Sequence, residues 1–99
     1  MSSDLHPSEG ARFLLERERD DGKRATYRAS IYTPDAVFST TAALCDDGTV
    51  TLDTSGAPEE HIEMLVTLAR LTARGAGKRR SDGTIIWPAR ILRWRGPGR

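Results

Sequence analysis

The sequence predicts an α+β domain in the order ββββαβ: a four-strand antiparallel meander, one long helix packed on its apolar face, and a C-terminal edge strand. Three observations predict it. Apolar and polar residues alternate through four runs between residues 11 and 54. The triplet Asp-Asp-Gly occurs twice, at 20–22 and 46–48, each time between two such runs. A stretch of good helix formers follows Pro58 and reaches Gly75.

The runs are 11–19, 24–33, 36–45 and 49–54. Directly opposed residues of an antiparallel pair point to the same face, so alternation tests loop length. In the first hairpin Phe13 and Leu15, and Tyr27, Ala29 and Ile31, are all odd-numbered. A two-residue Asp21-Gly22 loop would oppose odd to even. A three-residue loop, Asp20-Asp21-Gly22, opposes Leu15 to Tyr27 and Phe13 to Ala29, with glycine supplying a left-handed residue. The same loop at Asp46-Asp47-Gly48 opposes Leu44 to Val50 and Ala42 to Leu52. Between the hairpins, a two-residue Pro34-Asp35 loop opposes Ile31 to Phe38 and Tyr27 to Ala42. One face then collects Phe13, Leu15, Tyr27, Ile31, Phe38, Leu44, Val50 and Leu52, and a one-residue slip would break the set. The other face carries Arg12, Glu16, Glu18, Thr26, Arg28, Ser30, Tyr32, Ser39 and Thr41, interrupted by Leu14, Val37 and Ala43. It reads as solvated.

Pro58 at the first helical position and Glu59 and Glu60 in the first turn start a helix over 59–73, and Gly75 and Gly77 stop it. Ile62, Leu65, Val66, Ala69 and Ala73 fall on one side and suit the sheet. Met64, Leu68 and Leu71 extend the apolar arc to roughly 220°, well beyond the ~100° stripe of a surface helix. Two things could cover that second side. One is the apolar stretch 84–94, which Pro88 confines to a sheet edge or breaks. The other is a second copy of the chain.

Ninety-nine residues, 37% hydrophobic and 29% charged, make a single domain. It is expected over 11–95, between a flexible segment at 1–10 and a flexible tail at 96–99. One cysteine, Cys45, allows no internal disulfide and suits a reducing compartment. No apolar run approaches the ~20 residues of a membrane helix, and the polar start is unlike a signal peptide. The expectation is a cytoplasmic protein with no membrane contact.

The net charge of +1 conceals a polarity. Residues 1–69 hold 6 Lys/Arg against 13 Asp/Glu, a net of −7, and residues 70–99 hold 9 Lys/Arg against Asp82, a net of +8. Asymmetry of this kind suits a basic segment meeting an anionic partner, or the two halves meeting each other. Arg74, Lys78, Arg79 and Arg80 form a cluster in a glycine-flanked loop. Arg90, Arg93 and Arg95 follow, interleaved with Trp87 and Trp94. Guanidinium groups among indoles suit a nucleic-acid strand, charge for phosphate and rings for bases. If basic residues join Tyr32, Arg12 and Arg28 on one surface, nucleic acid is favoured; alternating acid and base would favour a protein.

Other constellations are weaker. The meander brings Asp20, Asp21, Asp46 and Asp47 to one end of the sheet, an acidic patch that turn chemistry already explains. No metal is expected there. Cys45, His6 and His61 lack catalytic company, with no Ser/His/Asp order and no nucleophile elbow. Gly75-Ala76-Gly77-Lys78 follows a helix where a phosphate-binding loop precedes one. The four-strands-then-helix order is similar to that of Pur-type and Whirly single-strand-binding repeats; no motif is shared residue by residue, so no binding residues carry over. The first functional expectation is a small non-enzymatic module contacting nucleic acid through 74–95. The second is a homodimeric or accessory interaction protein using Met64, Leu68 and Leu71. An enzyme ranks below both, and neither a cofactor nor a small-molecule substrate is inferred.

Overall fold

The computed structural model describes residues 6–53 and 56–96. Its elements are β1 (Ala11–Asp20), β2 (Arg24–Tyr32), β3 (Val37–Cys45), β4 (Val50–Leu52), α1 (Glu59–Arg74), α2 (Ala76–Ser81) and β5 (Arg90–Arg95). The strands form one antiparallel sheet in the order β4-β3-β2-β1-β5. The helical layer lies on one face of it, with α1 against β3 and β4. Class and element order are those the alternation predicts.

Phe13, Leu15, Tyr27, Ala29, Ile31, Ala42 and Leu44 are buried beneath Leu65, Ala69, Ala73 and Ala76 of the helical layer. Small helical residues over the sheet leave room for Trp87 and Tyr27, the largest of the fully buried side chains. Burying each such large side chain contributes about 1.5–3 kcal/mol.

Two connections have the expected register. Ile31 opposes Phe38 and Tyr27 opposes Ala42 across Pro34-Asp35, while Leu44 opposes Val50 and Ala42 opposes Leu52 across Asp46-Asp47-Gly48. Gly48 has φ 94°, the left-handed residue this loop requires. The first hairpin differs. Phe13 opposes Ile31, Leu15 opposes Ala29 and Arg17 opposes Tyr27, and the register then shifts at Glu18 so that Arg19 meets Thr26 and Asp20 meets Ala25. The chain reverses through Gly22-Lys23, with Asp21 N–H bonded to the Arg24 carbonyl at 3.0 Å. Parity permits either an odd loop or an even loop plus one extra strand residue. The structure uses the second, a β-bulge at Glu18.

Pro58 lies one residue ahead of α1, and Gly75 caps its end as expected, whereas Gly77 stops nothing and lies within α2. Gly75 keeps right-handed helical geometry (φ −79°, ψ −8°), and the chain bends there and continues as α2. Lys78, Arg79 and Arg80 therefore sit on a short helix, not in a loop. The stretch 84–94 also differs from expectation. Only Arg90–Arg95 is strand, and it extends the sheet beyond β1 rather than covering α1. Residues 84–88 are irregular and drive Trp87 into the core, 1% exposed. Within the N-terminal segment, His6–Gly10 lies against the sheet: Pro7 is buried, and the Glu9 carbonyl accepts from Trp94 Nε1 at 3.1 Å. Residues 97–99 of the expected tail lie outside the described residues.

Candidate functional site

The face opposite the helices is built by cross-strand rows. One row runs Trp94–Arg12–Tyr32–Val37 across β5, β1, β2 and β3. The next runs Leu92–Leu14–Ser30–Ser39, and the third Arg90–Glu16–Arg28–Thr41. The middle row is packed rather than solvated. Leu14 is 3% exposed and Ser30 4%, with Ser30 Oγ 3.3 Å from Ser39 Oγ. Trp94 and Val37 stand about half exposed. The bulge adds a cation: past Glu18 the alternation resets, so Arg19 pairs with Thr26 on this face. Paired positions of β1, β2 and β5 here carry Arg12, Arg19, Arg24, Arg28 and Arg90 against Glu16.

The basic segment is divided between the two layers. Of its arginines and tryptophans, Arg90 and Trp94 reach this face. Arg93 and Arg95 alternate to the other side of β5. Arg93 Nη1 donates to the Leu92 carbonyl at 2.8 Å, and arginines along this edge discourage pairing with another strand.

The α2 cations have structural work. Arg79 Nε donates to the Ile86 carbonyl and its Nη2 to the Thr72 carbonyl at 2.6 Å. Arg80 Nη2 donates to the Gly22 carbonyl at 2.5 Å and to Asp46 Oδ2 at 3.2 Å. Lys78 pairs with Asp82 at 3.0 Å, and the stem of Arg74 lies by the Gly48 turn. Arg79 and Arg80 thus have a structural need that the sequence alone did not reveal, the anchoring of 82–88 and of the two Asp-Asp-Gly turns, while the Lys78–Asp82 pair is an exposed contact between successive helical turns.

Those turns do share one end of the sheet, joined by Asp46 N–H to the Lys23 carbonyl at 2.9 Å. Their carboxylates serve the turns. Asp20 accepts from Gly22 N–H, Asp21 from Arg24 and Lys23, and Asp47 from Thr49. Hydrogen bonds from the Arg24 and Lys23 backbone hold the Asp21 carboxyl below its ordinary pKa, and those from Thr49 do the same for Asp47. Among the described residues no group of three or more His, Cys, Asp or Glu is placed to hold a metal.

Tyr27 anchors the opposite flank of the same clasp. Its hydroxyl donates to the Pro88 carbonyl at 2.7 Å, and burial pushes its pKa up to about 12. Arg17 Nη1 reaches the Trp87 carbonyl at 2.7 Å, and Trp87 Nε1 donates to the Gly22 carbonyl at 3.1 Å. His61 lies edge-on to Phe13, with centroids 6.2 Å apart, and His6 lies edge-on to Tyr32 at 5.3 Å while bonding the Thr33 carbonyl. Cys45 is half-buried at the end of β3.

Met64 and Leu68 pack against the margin of the core, whereas Leu71 is 61% exposed. Among the described residues no helix is long and apolar enough to cross a membrane. No protein-family model matches the chain, and no curated protein or solved structure is significantly similar to it.

Proposed function

We infer that the domain is a non-enzymatic module, acting in the cytoplasm, that holds a single-stranded nucleic acid on the face of its sheet opposite the helices. The observation that carries this reading is the row Trp94–Arg12–Tyr32, two aromatic residues with one guanidinium between them on adjacent strands. Two strand spacings set the aromatic positions roughly 10 Å apart, room for two unstacked bases with a phosphate over Arg12. Rings accept any base, so such a platform is tolerant of sequence. Arg19, Arg28 and Arg90 supply further phosphate contacts, and Glu16 is the single acid paired among them. A duplex keeps its bases stacked away from the rings, which favours a single strand.

The two tryptophans give a direct test. Trp87 is 1% exposed and Trp94 50%, so a stacking ligand quenches Trp94 and leaves Trp87 emission in place. Titration with a short oligothymidine should quench the wild type at low salt but not the Trp94→Phe chain. Four phosphate contacts predict a slope of log affinity against log salt of roughly −3 for a single strand. Absence of binding at low salt, or binding unchanged in an Arg12→Glu, Arg28→Glu chain, would refute the reading.

A further inference from the structure

Of the four exposed large apolar side chains among the described residues, Val37 and Trp94 lie on the sheet face just described. The other two, Leu71 and Ile85, are 61% and 71% exposed. Arg79 ties the Ile86 carbonyl to the Thr72 carbonyl, so Ile85 stands beside the end of α1 that carries Leu71. Met64, Leu68 and Leu71 recur at intervals of four and three, the spacing of a helix–helix seam.

The charges along α1 are polarised beside that seam. Glu59, Glu60 and Glu63 occupy its first half, Arg70 and Arg74 its second, and all five are exposed. The helix dipole favours this order in a monomer. It also makes the helix complementary to a reversed copy of itself.

We propose that a second copy of this chain packs on this seam with its α1 antiparallel to the first. With Thr67 at the two-fold axis, Glu60 faces the partner's Arg74, because each lies seven residues from Thr67. The symmetric contact repeats on the other side of the axis. A parallel pairing would instead set Glu60 and Arg74 each against its own copy. The 16-residue helix offers a short seam, so the dimer is weak. It leaves the sheet faces opposite the helices outside the interface and does not depend on nucleic-acid binding. Where a strand spans both faces, the pair binds it more tightly than one copy can.

Sedimentation of the full chain across micromolar to millimolar concentrations tests this. The wild type should pass from monomer to dimer. Leu71→Glu changes an exposed side chain, so circular dichroism should show a folded chain while association weakens at least tenfold. Glu60→Arg and Arg74→Glu should each weaken association, and the two together should restore it, since the swapped charges again face opposite partners. A folded chain that stays monomeric throughout overturns the proposal. So does a dimer indifferent to Leu71→Glu, which places the contact elsewhere. Loss in both single charge variants without recovery in the double overturns the antiparallel arrangement.

Discussion

Gly75 and Arg79 should show a reversal of sign in a double-mutant cycle. Gly75 has helical dihedrals that any residue adopts, so alanine there should gain about 1 kcal/mol of helix propensity. Space opposes it: an added Cβ would fall on Arg79 Nη1. That guanidinium cannot simply swing away, because it is bonded to the Thr72 and Ile86 carbonyls. Hydrogen bonds to charged groups contribute about 1.5–3 kcal/mol each, and partial exposure of Arg79 puts both toward the low end. Displacing them costs roughly 2–4 kcal/mol, so Gly75→Ala should destabilise the wild type by a net 1–3 kcal/mol. In an Arg79→Ala background the obstacle is gone, and the same substitution should stabilise by up to about 1 kcal/mol. Urea unfolding followed at the helical circular-dichroism band reads both steps of the cycle. If Gly75→Ala stabilises the wild type, or shifts both backgrounds equally, Arg79 does not hold the bend.

Three further outcomes follow from the packing. Tyr27 ionises more reluctantly folded than unfolded, its pKa raised from 10 to about 12, so its contribution is complete below pH 10 and fades as pH climbs through 12. Two pKa units correspond to up to about 2.7 kcal/mol, and Tyr27→Phe should remove that alkaline loss while costing about 1 kcal/mol near neutrality through the orphaned Pro88 carbonyl, both read by denaturation across pH. Deleting Glu18 should turn the β1–β2 ladder regular without moving Arg17 or Arg19 to another face, changing stability by less than about 1 kcal/mol; deleting Leu14 should reverse Ala11 and Phe13 and abolish cooperative thermal unfolding. Gly10→Ala should cost more than 1 kcal/mol, because Gly10 has φ 73° and its added Cβ would strike the Arg95 carbonyl, and the β5 amides should then exchange faster.

The faces of the sheet were legible because alternation is a parity property, and parity survives errors of register. Phe13, Tyr27 and Phe38 lie on one side whether Leu15 meets Tyr27 or Ala29. Pairing was legible only where loop and strands were both regular, as at Pro34-Asp35 and Asp46-Asp47-Gly48. The bulge at Glu18 was not, since an odd loop and a bulged strand satisfy the same alternation. Its consequence, Arg19 on the face opposite the helices, was hidden for the same reason. Gly75 read as a stop because glycine so often ends helices, yet here it adopts ordinary helical geometry beside an arginine that leaves no room for a Cβ. β5 was ambiguous in face because Ile91 and Leu92 are both apolar, and only pairing with β1 assigns Trp94 to the row with Arg12.

The charge polarity therefore has a different meaning in the fold than along the chain. The −7 and +8 portions are stitched together, Arg80 to Asp46 and to the Gly22 carbonyl, so part of the basic excess holds the acidic turns in place. Arg79 is likewise occupied by carbonyls. Four of the five arginines at paired positions on the face opposite the helices, Arg12, Arg19, Arg24 and Arg28, come from the acidic portion instead, gathered by strand register and one bulge. Composition along the chain and charge over the surface are thus nearly independent here. A variant that neutralises Lys78 and Arg80 should lose stability before it loses affinity for an oligonucleotide. One that neutralises Arg12 and Arg28 should do the reverse. That opposition, measured by unfolding and by Trp94 quenching on the same two proteins, separates the cations that hold the fold from those that meet a partner.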